Sequence, residues 1–171
     1  MHQHDRSDRS RKAILDKALS LFSKQGYHGT SMRDVAAGAG LSTGIVYHLF
    51  KDKEAIFRAL LDRYFTVLKA PDFPFNRALA EGAFPDDLEK LGRASRESVR
   101  RYKPYVALIY VDVVEFEGKH IRRFYADMAR KFEAWMAAYP GEKALLDKLR
   151  PGVSPVSAVM LASRFLLHYY A

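Results

Sequence analysis

The chain contains no cysteine. That excludes a disulfide framework, a thiolate metal site and a cysteine nucleophile. No uninterrupted apolar run reaches the ~20 residues a helix needs to cross a bilayer. The N-terminus, MHQHDRSDRSRK, lacks the apolar centre of a signal peptide. Cytoplasm is therefore the expected location, with no membrane partner. Nor is there a phosphate-binding glycine loop or an H-E-x-x-H zinc pair. There is no internal repeat and no low-complexity segment. No metal, cofactor or catalytic residue is expected. His2 and His4 stand in a polar leader that reads as a disordered tail.

Two catalytic patterns occur in form only. Residues 40–44, Gly-Leu-Ser-Thr-Gly, satisfy G-x-S-x-G. A nucleophile elbow needs a preceding strand, whereas a helical pattern precedes Ser42. Glu117 and His120 satisfy E-x-x-H, but a di-iron bundle needs two such pairs and two further glutamates on facing helices. The chain has one pair, and it contains Gly118.

What is present is an apolar supply of 49% and a net charge of +8 over 171 residues. That is enough for one or two globular domains. The charge is uneven. Residues 1–70 carry 12 Lys and Arg against 7 Asp and Glu, and residues 71–171 carry 16 against 13. The denser excess near the N-terminus suits a polyanion.

That segment contains Thr30–Glu54, TSMRDVAAGAGLSTGIVYHLFKDKE. Ser31 begins one short apolar-periodic run, with Met32, Val35 and Ala36 on one face. Ser42 begins another, with Val46, Leu49 and Phe50 on one face. Serine is a preferred N-cap. Between the runs, Gly40 can take the left-handed conformation that stops one helix and starts the turn to the next. Two short helices joined by a glycine turn make a helix-turn-helix. The N-terminal part of the second helix of such a unit meets base edges in the major groove. Its outer face carries Thr43, Gly44, Tyr47 and His48, none acidic, with Ile45 as a partner for a thymine methyl. Gly44 inside a helix costs about 1 kcal/mol relative to alanine. Two explanations stand: close approach of the backbone to a sugar-phosphate chain, or relief of a crowded helix crossing.

Residues Arg11, Ile14, Leu15, Ala18, Leu21, Phe22, Gly26, Tyr27, Thr30, Ser31, Asp34, Val35, Ala36, Ala39, Gly40, Ser42, Gly44, Tyr47, Phe50, Lys53 and Glu54 together resemble the N-terminal signature of the tetracycline-repressor (TetR) family of bacterial transcriptional regulators. The likeness spans roughly residues 11–57. It implies an all-α fold: a three-helix DNA-binding head, residues 1–51, followed by a helical ligand-binding and dimerisation bundle, residues 52–171. It implies a homodimer on a double-stranded DNA operator, a small-molecule inducer, and Lys53 on the DNA backbone. Ser31, Arg33 and Ser42 are further phosphate candidates. Ile45 and Leu49 depart from the commoner family choices, so base preference does not carry over.

The first helix is expected from about Ser10 to Gln25, with Ile14, Ala18, Leu21 and Phe22 inward. Asp52 caps a fourth, running to about Lys69. PDFPF at 71–75 and GAFPDD at 82–87 break the pattern around a short helix. Further helices are expected from about Asp86 to Arg101, from Pro104 to about Glu115, from about Lys119 to Tyr139, over Glu142–Leu149, and from Ser154 to the end. The last is apolar nearly all round, which calls for cover from its own domain and from a second chain.

Phe65, Tyr105, Tyr110, Phe116, Phe124 and Trp135 are candidates for an inducer site. Asp112 stands in the apolar run VALIYVDVVEF. A buried carboxylate must be paired, protonated or wet. Either it pairs with Arg122 or Arg123, or it orients a polar group of a bound molecule. The alternative reading, of another class, is a helical scaffold or enzyme whose N-terminal helix-turn-helix makes protein contacts.

Overall fold

The computed structural model describes residues 2–82, 84–137 and 149–171. Among these residues there are nine helices and no strand. They are α1 His2–Gln25, α2 Met32–Ala39, α3 Thr43–Leu49, α4 Lys53–Lys69, α5 Pro74–Ala80, α6 Leu88–Arg101, α7 Lys103–Glu115, α8 Ile121–Ala137 and α9 Pro155–Tyr169. The helix expected over Glu142–Leu149 falls almost wholly outside the described residues.

The all-α expectation holds, and most helix limits fall within two residues of the sequence reading. One does not: α1 begins at His2 rather than near Ser10. The polar leader contains neither glycine nor proline, so nothing in it interrupts a helix that the following turns have already nucleated.

Two compact units are present. The first comprises the chain as far as Thr66 together with Pro104–Ile121; the second comprises Val67–Lys103 and Arg122–Ala171. Compactness thus divides the chain differently from the functional boundary drawn at residue 52. The reason is aromatic packing. Phe57 of α4 meets Phe22 of α1 at 5.7 Å between ring centroids and stacks on Phe116 at 5.0 Å. Tyr27 joins the same cluster, 4.5 Å from Phe116. Full burial of a side chain such as Phe57 is worth about 1.5–3 kcal/mol, which binds α4 and the end of α7 to the head.

In the first unit α1 packs on α2 and α3. Ile14, Ala18 and Phe22 are buried with Val35, Ala36, Val46 and Phe50. In the second unit α6 packs on α5 and α9. Gly92 is buried there; a side chain added at it would lie 3.5 Å from the Tyr170 hydroxyl and 4.0 Å from Leu166. The other side of α9 is bare: Leu161, Phe165 and Tyr169, four residues apart, are 71%, 65% and 71% exposed.

Candidate nucleic-acid interface

The helix-turn-helix is set by caps that its own sequence supplies. The Ser31 hydroxyl accepts from the Asp34 amide at 3.1 Å, and the Asp34 carboxylate accepts the Ser31 amide at 2.8 Å. This reciprocal pair satisfies two orphan donors at the start of α2. The Ser31 hydroxyl also bonds to the Asp34 carboxylate, which is held below its ordinary range by that bond first and by the backbone bond second. Gly40 ends α2 with φ 67°, in the left-handed region, so that the Gly40 amide reaches Ala36 and Ala37. Ser42 then caps α3 through the Ile45 amide at 3.4 Å.

The two faces of α3 separate as the sequence suggested. Val46 and Phe50 are buried and Leu49 is half-buried. Gly44, Ile45, Tyr47 and His48 are exposed, and Thr43 is half-buried. Tyr47 is 53% exposed and Ile45 40%, large apolar surfaces left facing outward. A Cβ built on Gly44 would have only the Ser42 hydroxyl near it, at 3.9 Å. The crowded-crossing explanation of this glycine is therefore corrected: the fold has room for a side chain there.

An open cleft of about 640 Å³ lies beside this face. Ser31, Arg33, Tyr47 and Lys53 line it, with His28, Asp34 and Asp52. It brings together three of the four phosphate candidates and one base-reading candidate. Ser42, Thr43, Gly44, Ile45 and His48 lie outside its lining, along α3.

Lys53 is neither a plain solvated lysine nor a free cation. Its ammonium donates to the carbonyls of Tyr27 and Thr30, both at 2.7 Å, and sits 4.1 Å from the Tyr27 ring centroid. Burial lowers its pKa, and the charge of Glu115 opposes that shift. The unfavourable placement of a cation in a first helical turn is thus answered by carbonyl oxygens of the α1–α2 connector.

Residues 14–60 match the sequence pattern of the tetR family of bacterial regulatory proteins. Over that segment the chain is similar to the tetR family. Among curated relatives, the HTH-type transcriptional repressor ComR of Escherichia coli K12 is 46% identical over 54 residues, 32% of this chain and 26% of that protein. The HTH-type transcriptional regulator YerO of Bacillus subtilis is 22% identical over 161 residues, 94% of this chain and 54% of that protein. The chain thus spans about a quarter to a half of the length of these curated relatives. Among solved structures, the fold is shared with NalD, secondary repressor of a multidrug efflux pump in Pseudomonas aeruginosa. That match has a TM-score of 0.62 at 22% identity and covers 97% of this chain and 85% of NalD. It is shared also with AibR in complex with isovaleryl coenzyme A and operator DNA, with a TM-score of 0.60 at 19% identity, covering 94% of this chain and 85% of AibR.

The inducer candidates divide between the two units. Phe65, Tyr105, Tyr110, Asp112 and Phe116 belong to the first, Phe124 and Trp135 to the second. Phe116 is part of the Tyr27–Phe57 cluster, and Tyr105 stacks on Tyr64 at 5.2 Å. Tyr110 is exposed, Phe65 and Phe124 are buried, and Trp135 is half-buried. The expected pairing of Asp112 with Arg122 or Arg123 is corrected. Asp112 is 0% exposed. Its Oδ1 faces His120 Nδ1 at 2.5 Å and accepts the His120 amide at 3.4 Å; its Oδ2 accepts the Ile121 amide at 3.1 Å. It caps the start of α8, because Gly118 turns the chain back over the end of α7 with φ 73°. The His120 ring then reaches Glu54 on α4 at 3.2 Å through Nε2.

Sequence reasoning missed three contributors. Arg11 donates to the Leu49 carbonyl at 3.2 Å and lies 4.4 Å from the Phe50 ring centroid, holding the end of α3. It stood in the family signature without a role. Glu115 carried no local signal, since its partners lie 87 and 88 residues away; His120 stood in the sequence only as half of an E-x-x-H pair, and its bond to Glu54 spans 66 residues.

Proposed function

We propose that the chain is a ligand-responsive DNA-binding transcriptional regulator, a repressor that acts as a homodimer on an inverted-repeat operator. The single observation that carries the reading is Gly44. It is a glycine on the outer face of a seven-residue helix, in a fold that leaves space for a side chain. An approaching backbone is the natural reason for keeping it bare. Thr43, Gly44, Ile45, Tyr47 and His48 read bases; Ser31, Arg33, Ser42 and Lys53 meet phosphates.

The exposed stripe Leu161, Phe165 and Tyr169 pairs α9 with a second copy. One recognition helix reads few bases, and two on a dyad read half-sites about 10–10.5 base pairs apart or more. The inducer is a small apolar or amphipathic molecule. Asp112, with both oxygens already engaged, leaves the set of inducer candidates. An inducer acts by favouring one spacing of the two heads, through its differential affinity alone.

The test is selection from random duplexes followed by a salt titration on the selected site. An inverted repeat and a steep fall of affinity with salt are expected, because phosphate contacts release counterions. A protein-contact head would give no sequence and no slope.

A further inference from the structure

Glu115 ends α7, yet its carboxylate is occupied 88 residues back in the chain. Oε1 accepts the Tyr27 amide at 3.0 Å and Oε2 accepts the His28 amide at 2.7 Å. Those are the first amides beyond the last backbone bond of α1, from Gly26 to Phe22. Two consecutive amides converge on one carboxylate only where the chain turns sharply, and Gly26 does so with φ 78°. A Cβ on Gly26 would lie 2.6 Å from Glu115 Oε1, so the contact needs the missing side chain as well. The other edge of the same connector holds Lys53, on the Tyr27 and Thr30 carbonyls. Glu115 and Lys53 therefore grip one peptide segment from its two sides. Three residues on from Tyr27, at Thr30, that segment runs into the Ser31 cap of α2.

We propose that Glu115 is a positioning residue for the DNA face: it fixes the α1–α2 connector and, through it, the Lys53 ammonium and the start of α2. The role rests on the DNA-binding reading above. Burial works against the ammonium, and the Glu115 carboxylate is the charge that supports it. The other ionisable groups around Lys53 are Asp52 and Glu54 beside it, Arg33 and Asp34 from α2, and Tyr27 and His28 from the connector. His28 Nε2 is 3.8 Å from the same Glu115 oxygen that takes its amide.

Three readouts on the full chain test this. The first needs no DNA: amide exchange at Tyr27 and His28, which Glu115→Gln and Glu115→Ala should accelerate. The second is the Lys53 ammonium followed by NMR with rising pH; Glu115→Gln, close in shape but uncharged, should bring its titration to lower pH. The third is affinity for the selected duplex. Glu115→Gln should weaken it about threefold to tenfold, the worth of one ordinary hydrogen bond. The loss should grow with alkaline pH and shrink in a Lys53→Ala background, since residues sharing a network are coupled. A merely structural glutamate would leave the lysine titration where it was. If the unmodified protein binds duplex steeply in salt and Glu115→Gln matches it in all three readouts, the positioning role is overturned and the DNA reading stands. If no duplex binds the unmodified protein with a salt slope, the DNA reading fails and this role fails with it.

Discussion

Replacing Gly44 with alanine should raise stability and lower DNA affinity. The new methyl would have the Ser42 hydroxyl at 3.9 Å as its nearest neighbour, an ordinary contact. Gly44 is not among the glycines with positive φ, so alanine fits its backbone. Alanine is better than glycine within a helix by about 0.5–1 kcal/mol. For a chain of 150–250 residues each kcal/mol moves Tm by about 2–4 °C, so the melting temperature should rise by roughly 1–4 °C. On DNA the same methyl enters a close contact. Overpacking costs about 1–3 kcal/mol, or roughly five- to 150-fold in affinity. The assay pairs thermal unfolding followed by circular dichroism with fluorescence anisotropy on the selected duplex at one fixed salt concentration. A fall in Tm would mean that the site is crowded after all. An unchanged affinity would mean that no sugar-phosphate chain approaches Gly44, and the argument for the DNA face would lose its main support.

Asp112→Ala should destabilise the chain by about 3 kcal/mol, because it strips His120 and two amides of a buried charged partner; the urea midpoint should fall with little change in slope. Phe165→Glu together with Leu161→Glu places charge in the bare stripe of α9, and analytical ultracentrifugation at micromolar concentration should change from dimer to monomer. A dimer that persists would put the interface elsewhere. Glu54 is held below the ordinary glutamate value, first by its hydrogen bond from Lys119 and then by that from His120. Its contribution is therefore present above the ordinary value and lost as pH falls through the lowered one. Glu54→Gln should flatten that part of the acid limb in a stability–pH curve.

The helix-turn-helix was legible because its determinants are local. Ser31, Gly40 and Ser42 act within four residues of themselves, and the inward positions Met32, Val35, Ala36 and Val46 follow the helical period. The outer face of α3 could be listed by the same period. The role of Lys53 was legible only in part. Its place in the first turn of α4 was visible, but its grip on Tyr27 and Thr30 depends on how α1 ends. Asp112 shows the limit. Hydropathy alone marked it as needing a partner, and arginine was a reasonable choice. The actual partners, two amides and an imidazole, exist only because Gly118 turns the chain back over the end of α7. Pairing of this kind is a property of a turn and cannot be read from the charges available nearby.

The grip on Lys53 has a consequence for how DNA would be met. A lysine side chain carries about 2 kcal/mol of rotamer entropy, most of which an exposed lysine gives up when it docks on an anion. Here the chain is ordered during folding, since two of the three N–H donors of the ammonium are already committed to carbonyls. Contact with a phosphate then costs little further ordering. The same fixity limits tolerance. A free lysine follows a displaced backbone by rotating its bonds, whereas this one stays where the connector holds it. An ammonium so placed acts as a fixed gauge of where the DNA backbone runs, and a duplex of the wrong groove geometry would meet it out of register.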